Sequence, residues 1–372
     1  MKATELREDI LTAWMACRDA ISTEDKVAIR NLHLAAKLDD REISYRRLLK
    51  DLSNLRSFFP SPARIEPERI DPVLVSVEPR TQEERLFKVV RGFWSMPYSK
   101  GYGRRLRYLV LDQYHGAVIG IIGLQSPSAD LACRDAYLCA PKEHKLRVVN
   151  NTLDAYTIGA TPAYAPILGG KLTAGMLHAP LIRQDYWRTY GNRLTTQLKL
   201  RVPQPLLAIT TASAFGRSSI YNRLRFGEQV LAKPLGYTKG FGTLHLEGLY
   251  PKITTWLEQT GRCVPAGFGN GPKVRWQNIM RALVALKIPR KCLEHGLQRE
   301  VFIFELVTNL QAVCARGDLP DSLPFDTTRW AEYWKERWCL PRVVRSPDWY
   351  EFDAYGALES SLVTQLRGNA ES

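Results

Sequence analysis

The sequence predicts a mixed α/β protein, an α+β sheet with helical segments before and after it in the chain. Two strand-turn-helix units follow each other between Asn150 and Gly242, and a β-hairpin pattern precedes them. Apolar residues recur at helical spacing in both end regions. The predicted organisation is a helical module at 1–59, a proline-rich connector at 60–82, an α/β core at 83–248 and a helical region at 249–372.

The first two segments are distinguished by periodicity and by proline. Leu6, Ile10 and Leu11 fall on one face of a predicted helix, as do later residues up to Phe59. Prolines then interrupt the chain repeatedly between Phe59 and Arg80, which leaves room for one short strand near Val73–Val77.

The core begins with a predicted helix, Glu83–Phe93. A hairpin and the two strand-turn-helix units follow it, each marked by apolar runs that end in glycine, proline or small residues. The predicted elements are Arg104–Asp112, Ala117–Gln125, Asp154–Ile158, Leu172–Ile182, Pro205–Ala212 and a short basic helix at Arg217–Phe226. Beyond them the periodicity predicts helices at Leu249–Gln259, Val274–Leu286, Lys291–Arg316 and Thr328–Trp338.

The charge balance predicts a polyanionic partner. The chain of 372 residues carries 52 Lys+Arg against 38 Asp+Glu, a formal net charge of +14. Much of the excess lies between Gly101 and Tyr250, where 18 Lys+Arg stand against 8 Asp+Glu. We therefore expect the central region to contact nucleic acid, with DNA preferred over RNA.

Cysteine usage and the lack of a targeting pattern predict a cytoplasmic protein. The 7 cysteines are scattered, without a Cys-x-x-Cys pair, which is typical of reduced thiols. The segment Met1–Arg7 is charged, and no uncharged apolar run reaches the roughly 18 residues of a membrane span. We expect no membrane contact.

A cluster of cations mixed with aromatic residues is the predicted nucleic-acid site. Phosphate contact requires Lys and Arg, and base stacking requires rings, here Tyr221, Phe226, Tyr237 and Phe241. The cations of this cluster are Arg217, Arg223, Arg225, Lys233 and Lys239. Three further arginines are predicted to bind nucleic acid, namely Arg104, Arg105 and Arg107.

The turn Gly169-Gly170-Lys171 is a candidate phosphate loop. It precedes a predicted helix, and the N–H groups at a helix N-terminus bind anions. The alternative is a tight turn into a packed helix, for which the two glycines are equally suited.

Two other side-chain sets contain residue types that can bind metals. Asp112, Asp135 and Asp154 are carboxylates of the kind that hold Mg²⁺ for phosphodiester cleavage, and Asp135 is the best catalytic candidate among them because Arg134 adjoins it. Aspartates that cap turns are the alternative. The set Cys133, Cys139 and His144 matches no zinc spacing. We predict no bound metal.

Several segments together resemble the DruA family of the Druantia anti-phage systems, over most of Arg85 to Trp338. The similar segments are Gly103–Val110, Ala132–Asp135, Val149–Asn151, Ser218–Leu224, Gly236–Gly242, Gly267–Trp276, His295-Gly296, Arg299–Phe302 and Trp334–Trp338. The resemblance implies a bacterial antiviral defence component that acts with other defence proteins, among them a large helicase-like protein. It implies no particular chemistry.

The order of elements from Arg104 to Phe226 also resembles GNAT-type acetyltransferases. That resemblance implies a GNAT-like core, and it places Tyr221 where these enzymes keep a tyrosine general acid. The chain departs from their phosphate-loop pattern, because Ala165, Leu168 and Gly170 stand where an Arg or Gln, a glycine, and a glycine or alanine are expected. Acyl-CoA is therefore disfavoured, and no cofactor is predicted.

Three functions remain open from the sequence. The first is a defence component that binds nucleic acid. The second is an acyltransferase-like or metal-dependent enzyme that modifies nucleic acid, and the third is a non-enzymatic subunit that docks an acidic protein. The concentration of cations between Arg104 and Lys239 favours the first.

Overall fold

The computed structural model describes residues 2–23, 25–38, 45–96, 103–194, 199, 205–216, 218–265 and 274–371. Its helices are α1 Ala3–Ser22, α2 Lys26–Leu38, α3 Tyr45–Asn54, α4 Gln82–Phe93, α5 Ala132–Leu138, α6 Lys145–Asn150, α7 Gly169–Gly175, α8 Pro180–Tyr190, α9 Tyr250–Gln259, α10 Val274–Ala285, α11 Leu310–Arg316, α12 Thr327–Trp334, α13 Leu340–Arg345 and α14 Ala354–Glu371. Its strands are β1 Pro72–Ser76, β2 Leu106–Asp112, β3 Ala117–Gln125, β4 Thr152–Ala160, β5 Ala208–Ala212, β6 Arg225–Phe226, β7 Gln229–Val230, β8 Lys233–Tyr237 and β9 Glu300–Glu305.

Seven of the strands form one mixed sheet in the order β1-β2-β3-β4-β5-β9-β8. The pair of β4 with β5 is parallel, and the other pairs in this sheet are antiparallel. Strands β6 and β7 form a separate small hairpin. The predicted mixed α/β class is thus confirmed, as are the hairpin β2-β3 and the short strand β1 inside the proline-rich connector.

Apolar cores cover both faces of the sheet. On one face α7, α8 and α12 pack against residues such as Tyr108, Ile119 and Leu153. On the other face α3, α4 and α14 pack against residues such as Val118 and Ile121. Strand β3 is buried over nearly its whole length, which explains its continuous apolar sequence.

Helix α12 anchors the chain around the start of α7. The indole N–H of Trp330 donates to the Leu172 carbonyl at 3.1 Å, and that of Trp334 donates to the Leu168 carbonyl at 3.0 Å. Trp330 lies so close to Gly175 that a Cβ there would approach its ring to 2.1 Å. The loop between β4 and α7 is therefore held from the carboxyl-terminal side of the chain.

The segment 238–299 connects β8 and β9, which are neighbours in the sheet. It contains α9 and α10 and has its own apolar core, which also includes Leu6 and Ile10 of α1. Helix α3, by contrast, packs beside α4 and α14. The division into four segments stays a prediction. The contacts of α1 with this core, and of α3 with α14, join the first predicted segment to the last.

Two predicted elements were wrong. The predicted helix Lys291–Arg316 contains the central strand β9, whose apolar run Val301–Phe304 is buried in the sheet. The predicted basic helix Arg217–Phe226 is, over its described residues, a series of turns followed by β6. Arg223 has a φ of 56° there, a left-handed conformation that ends any helix.

Within the described parts of the chain, no helix combines the length and the apolar character that a bilayer crossing requires.

Candidate functional site

A cleft opens where β4 and β5 diverge, and we call it the strand cleft. The two strands pair only from Thr152 to Asp154 with Ala208 to Thr210, although β4 continues to Ala160. Tyr156 is an extra residue in β4, because Leu124 pairs with Ala155 and the preceding residue of β3 pairs with Thr157. The resulting cleft has a volume of about 510 Å³.

Two aromatic rings lie on glycines in the wall of the strand cleft. A Cβ on Gly123 would lie 2.6 Å from the Tyr156 ring, and a Cβ on Gly159 would lie 2.6 Å from the Trp94 ring. Only glycine leaves this space, so these two glycines position the rings against the sheet. Both residues are half-buried and line the cleft.

The wall on the β5 side continues through Ala214 and Phe215, which His33 of α2 holds in place. The His33 Nε2 atom lies 3.3 Å from the Ala214 carbonyl oxygen, and its ring meets the Phe215 ring edge-on at 5.5 Å. Burial, with a smaller contribution from the Arg299 charge, lowers the pKa of His33 to about 4. The imidazole is therefore neutral at pH 7.

The predicted phosphate loop lies at the end of the strand cleft, with its groups already engaged. The Gly169 N–H donates to the Tyr164 carbonyl and the Lys171 N–H to the Leu168 carbonyl, both at 2.9 Å. A Cβ on Gly170 would meet the Ile220 side chain at 3.3 Å. The Gly169-Gly170 turn thus leads into a closely packed helix.

Lys171 connects this turn to the following loop. Its ammonium group donates to the carbonyls of Ile220 and Asn222, at 3.1 and 2.9 Å, and lies 5.4 Å from the centre of the Trp338 ring. Burial lowers the pKa of Lys171 to about 8. It lines the strand cleft, but its hydrogen bonds stabilise the fold.

Tyr221, the predicted general acid, lies in the floor of the strand cleft. Its ring packs 5.1 Å from Phe302 and 6.0 Å from Phe304, and only 6% of the residue is exposed. Burial raises the pKa of Tyr221 to about 12, although a hydrogen bond with Thr211 opposes the rise. With this raised pKa the phenol is a weak acid, and its ring is packed in the core. The catalytic role of Tyr221 stays a prediction.

A second concave surface, which we call the basic cleft, lies between the start of β2, the first turns of α4 and the end of α8. Its volume is about 640 Å³. Acidic side chains also line it, namely Glu78, Glu84 and Asp185. Its cationic side chains are Lys88, Arg105, Arg107, Arg188 and Arg193.

The acidic residues of the basic cleft position the cations around it. Glu84 pairs with Lys88 at 2.9 Å and with Arg107 at 3.5 Å, and Asp185 pairs with Arg188 at 2.7 Å. The Arg188 side chain is nonetheless 69% exposed. Arg105 is also exposed, while its backbone N–H and carbonyl are both bonded to the Tyr190 hydroxyl at 3.0 and 3.1 Å. These guanidinium groups are therefore accessible on a fixed scaffold.

The neighbouring Arg104 has a different role from Arg105. Its guanidinium donates to the carbonyl oxygens of Asn150 and Thr152 and to the Tyr186 hydroxyl, and it lies 5.4 Å from the centre of the Tyr186 ring. Burial lowers its pKa. Arg104 thus connects the hairpin to β4 and α8 from the inside.

Tyr156 is the link between the two clefts. Arg107 of β2 faces Gly123 of β3, and the Tyr156 ring lies over that glycine. Burial raises the pKa of Tyr156, and the nearby Arg107 guanidinium opposes that rise. The side chain that lines the strand cleft therefore contacts a cation of the basic cleft.

The other predicted phosphate-contacting residues lie elsewhere. Arg223 and Arg225 are exposed on and before the β6-β7 hairpin, and Lys239 is exposed beyond β8. Lys233, on the edge strand β8, pairs with Glu305 at 2.5 Å. Arg217 lies outside the described residues. Strands β2 and β8 are five positions apart in the sheet, roughly 24 Å, so Arg105 and Arg107 lie on a different part of the molecule from Lys233.

The predicted stacking rings also separate. Phe226 packs against Phe325, Trp330 and Tyr333 in the core. Tyr237 and Phe241 are 45% and 46% exposed, near Lys239.

The three aspartates do not form a metal site. Asp112 accepts hydrogen bonds from the Tyr164 hydroxyl and the Asp71 N–H, and it lies beside His115. Asp154 pairs across the sheet with Gln125 at the other end of β3, roughly 26 Å from Asp112. Asp112 and Asp154 are therefore too far apart to share metal ions in a nuclease site.

Asp135 is a partner in an ion-pair network. It accepts from Arg134 at 2.6 Å and from the Leu131 N–H at 3.1 Å, and it pairs with Lys145 at 3.0 Å. Burial alone would raise the pKa of Asp135, but the hydrogen bonds from Arg134 and Lys145 outweigh it and keep the pKa below its ordinary value. Among the described residues, which include Cys133, Cys139 and His144, no three potential ligands lie together.

Sequence reasoning missed most of the residues that form the two clefts. Lys88, Arg188 and Arg193 join Arg105 only through the packing of α4 and α8 on β2. For Trp94 and Tyr156 the sequence does contain one signal. Gly123 and Gly159 lie within apolar strands, and a glycine there indicates the close approach of another group.

Comparison with known proteins agrees with the resemblance that segments along most of the sequence indicate. The family described as "Druantia protein DruA" matches residues 23–315. A protein named Druantia protein DruA, from Escherichia coli strain UMEA 4076-1, is 34% identical over 331 residues, which cover 87% of this chain and 81% of the relative. No solved structure matches. The chain therefore belongs to the DruA family.

Proposed function

We propose that this protein is a component of Druantia anti-phage defence and that it binds nucleic acid through phosphate contacts at the basic cleft. The family and the relative's name support the defence role. The observation that carries the binding role is the convergence of Lys88, Arg105, Arg107, Arg188 and Arg193 on one surface. Lys and Arg that neutralise phosphates release counterions, which drives association.

The accessible guanidinium groups of Arg105 and Arg188 can pair with the oxygens of a phosphate or of a carboxylate. The net charge favours nucleic acid over an acidic protein. The chain carries a formal net charge of +14, so the surrounding field attracts a long polyanion. We propose DNA as the preferred form, and other defence proteins, including a helicase-like protein, as partners in the same system.

The test is fluorescence anisotropy with labelled DNA at increasing salt concentration. The variant Arg105→Glu/Arg188→Glu should weaken binding at least tenfold and make the slope of log K against log salt shallower by about two. The matched control is Arg223→Glu/Arg225→Glu, which reverses the same number of arginines on another surface. Loss of binding in the control variant and not in the first would contradict the proposed location.

Acyl transfer is the second candidate function, and one observation favours it. The core keeps the GNAT-like order of hairpin β2-β3, strand β4, loop, helix α7 and strand β5, and we propose a GNAT-like sheet on this basis. Against acyl-CoA binding, two loop N–H groups are already bonded and Ile220 covers Gly170.

The two candidates make opposite predictions for a thermal shift. Acetyl-CoA at ten times its dissociation constant would add about 1.4 kcal/mol to the free energy of unfolding. We expect no change in melting temperature with millimolar acetyl-CoA. A reproducible rise that disappears in Gly170→Val would favour the acyltransferase instead.

A further inference from the structure

We infer that the strand cleft holds a single unpaired nucleotide, whose base stacks on Trp94 and Tyr156 and whose phosphate lies toward Arg107. This inference rests on the proposed nucleic-acid function and specifies which form of nucleic acid the protein takes. It makes the two clefts one continuous site, with phosphate contacts in the basic cleft and a base in the strand cleft.

The size of the strand cleft selects a small ligand. At about 510 Å³ it falls within the range of small-molecule sites, roughly 300–1,000 Å³. A double helix is far too wide to enter, whereas one base with its sugar fits. A base held in this cleft must therefore be unpaired, as it is in a single strand or a free nucleotide.

The aromatic walls of the cleft suit a planar ring. Trp94 and Tyr156 are half-buried side chains that line this cleft. Their positions are fixed by Gly159 and Gly123, which reduces the side-chain entropy lost on stacking. Stacking on aromatic side chains is the main sequence-tolerant contact of single-stranded nucleic acids.

Polar groups for the edge of a base come from the strand itself. Beyond Asp154, β4 has no partner strand on the β5 side among the described residues, although β4 extends to Ala160. Backbone N–H and carbonyl groups that lack a strand partner are strong hydrogen-bonding groups. The Ala155 carbonyl accepts a hydrogen bond from the Thr211 hydroxyl at 2.9 Å, and β4 continues beyond Ala155.

The link through Tyr156 gives the ligand its direction. Tyr156 lines the strand cleft, and its ring lies over Gly123, the β3 residue that pairs with Arg107 of the basic cleft. A nucleotide stacked on this ring would place its phosphate near Arg107, next to the exposed Arg105. Lys26, which is exposed, also lines the strand cleft.

The test uses a single-stranded oligonucleotide with one 2-aminopurine, whose fluorescence falls when the base stacks. Binding should quench the signal of the single strand and leave that of the matching duplex unchanged. A single strand that binds without quenching would overturn the inference. This measurement uses the unaltered protein and is independent of how any variant folds.

Variants then identify the rings. Trp94→Ala and Tyr156→Ala should each weaken single-strand binding about tenfold with an unchanged salt slope, because base stacking and not phosphate contact is lost. Trp94→Phe and Tyr156→Phe keep a ring and should stay within about threefold of the parent protein. Equal losses in the ring-keeping and ring-removing variants would contradict stacking.

Further measurements distinguish a base in a strand from a free nucleotide. They also distinguish failure of the base site from failure of the proposed function. Quenching of the strand that excess dAMP reverses would show that free nucleotides also enter, and quenching that dAMP leaves unchanged would assign the site to strands; either outcome supports the inference. If the alanine variants bind normally while Arg105→Glu/Arg188→Glu does not, the inference is wrong and the proposed function stands. If Arg105→Glu/Arg188→Glu binds normally, the proposed function is wrong. Displacement of the strand by acetyl-CoA would assign the strand cleft to an acyl carrier and overturn the inference.

Discussion

The basic cleft and the strand cleft adjoin each other, but they are formed in different ways. The basic cleft consists of long side chains on the surface, such as Arg105 and Arg188, and its charge can be changed without disturbing the sheet. The strand cleft results from a divergence of backbone, and its rings rest on Gly123 and Gly159. Substitutions in the basic cleft should therefore change the affinity for nucleic acid without changing stability. Substitutions in the strand cleft should change both.

Acid pH should give the largest difference between the two clefts. Burial lowers the pKa of His33, His245 and His295 to about 4, with smaller contributions from Arg299 or a neighbouring histidine. The unfolded chain, with histidine pKa values near 6.5, binds more protons between these values, so stability is full above about pH 6.5 and is lost as the pH falls toward 4. The slope is at most about 1.4 kcal/mol per pH unit for each histidine.

Because His33 holds Ala214 in the wall of the strand cleft, 2-aminopurine quenching should weaken along with the melting temperature over this pH range. Phosphate binding by the basic cleft should persist until unfolding begins, since arginine stays charged. Measuring both signals from pH 7 to 4.5 checks this. A melting temperature that does not vary over the range would show that the histidines are not held neutral.

The adjacent pair Arg104 and Arg105 should give the next largest contrast. Arg104→Ala removes the hydrogen bonds to the Asn150 and Thr152 carbonyls and should lower the free energy of unfolding by about 2–4 kcal/mol. Arg105→Ala should change it by less than about 0.5 kcal/mol while weakening DNA binding. Urea denaturation and anisotropy on both variants provide the two measurements. Equal destabilisation by both would remove the distinction.

Gly159→Ala should have a moderate effect that is confined to the strand cleft. The new methyl group would lie 2.6 Å from the Trp94 ring, and such overlap lowers the free energy of unfolding by about 1–3 kcal/mol. The matched control is Gly170→Ala, where the neighbour is the Ile220 side chain at 3.3 Å and alanine favours the helix, so the change should stay within about 1 kcal/mol. Thermal unfolding of both variants, with quenching for Gly159→Ala, decides the comparison.

Tyr221→Phe should have the smallest effect. It removes the hydrogen bond with Thr211 and keeps the packing on Phe302 and Phe304, so the free energy of unfolding should fall by less than about 1 kcal/mol. DNA binding and base quenching should decrease only slightly, because the ring at this position in the strand cleft is kept. A large loss of either would give the phenol a direct role in the site.

Much of the architecture was predictable from the sequence because local patterns agree with the tertiary structure. The hairpin β2-β3 and helix α4 were located by alternation and by helical periodicity. Strand β9 was not, since a run such as Val301–Phe304 suits a buried strand and a buried helix equally, and only its position between β5 and β8 decides.

The site was less predictable because its residues are joined by packing alone. Arg104 and Arg105 are identical in type and adjacent in sequence, yet one is internal and the other exposed. Arg188 and Lys88 come from helices that are far apart in the chain and share the basic cleft only after α4 and α8 have packed on the sheet. The excess of central charge predicted a polyanion site, but it did not locate the surface.

The pairing of α1 with the segment between β8 and β9 also affects the order in which the chain folds during synthesis. Leu6 and Ile10 are completely buried against a core that extends to Leu293. At translation rates of about 5–20 residues per second, roughly 15 to 60 seconds separate the synthesis of Leu6 from that of Leu293. Until that core is complete the apolar face of α1 is at most partly covered, so the nascent chain offers a binding surface for chaperones that the finished protein does not.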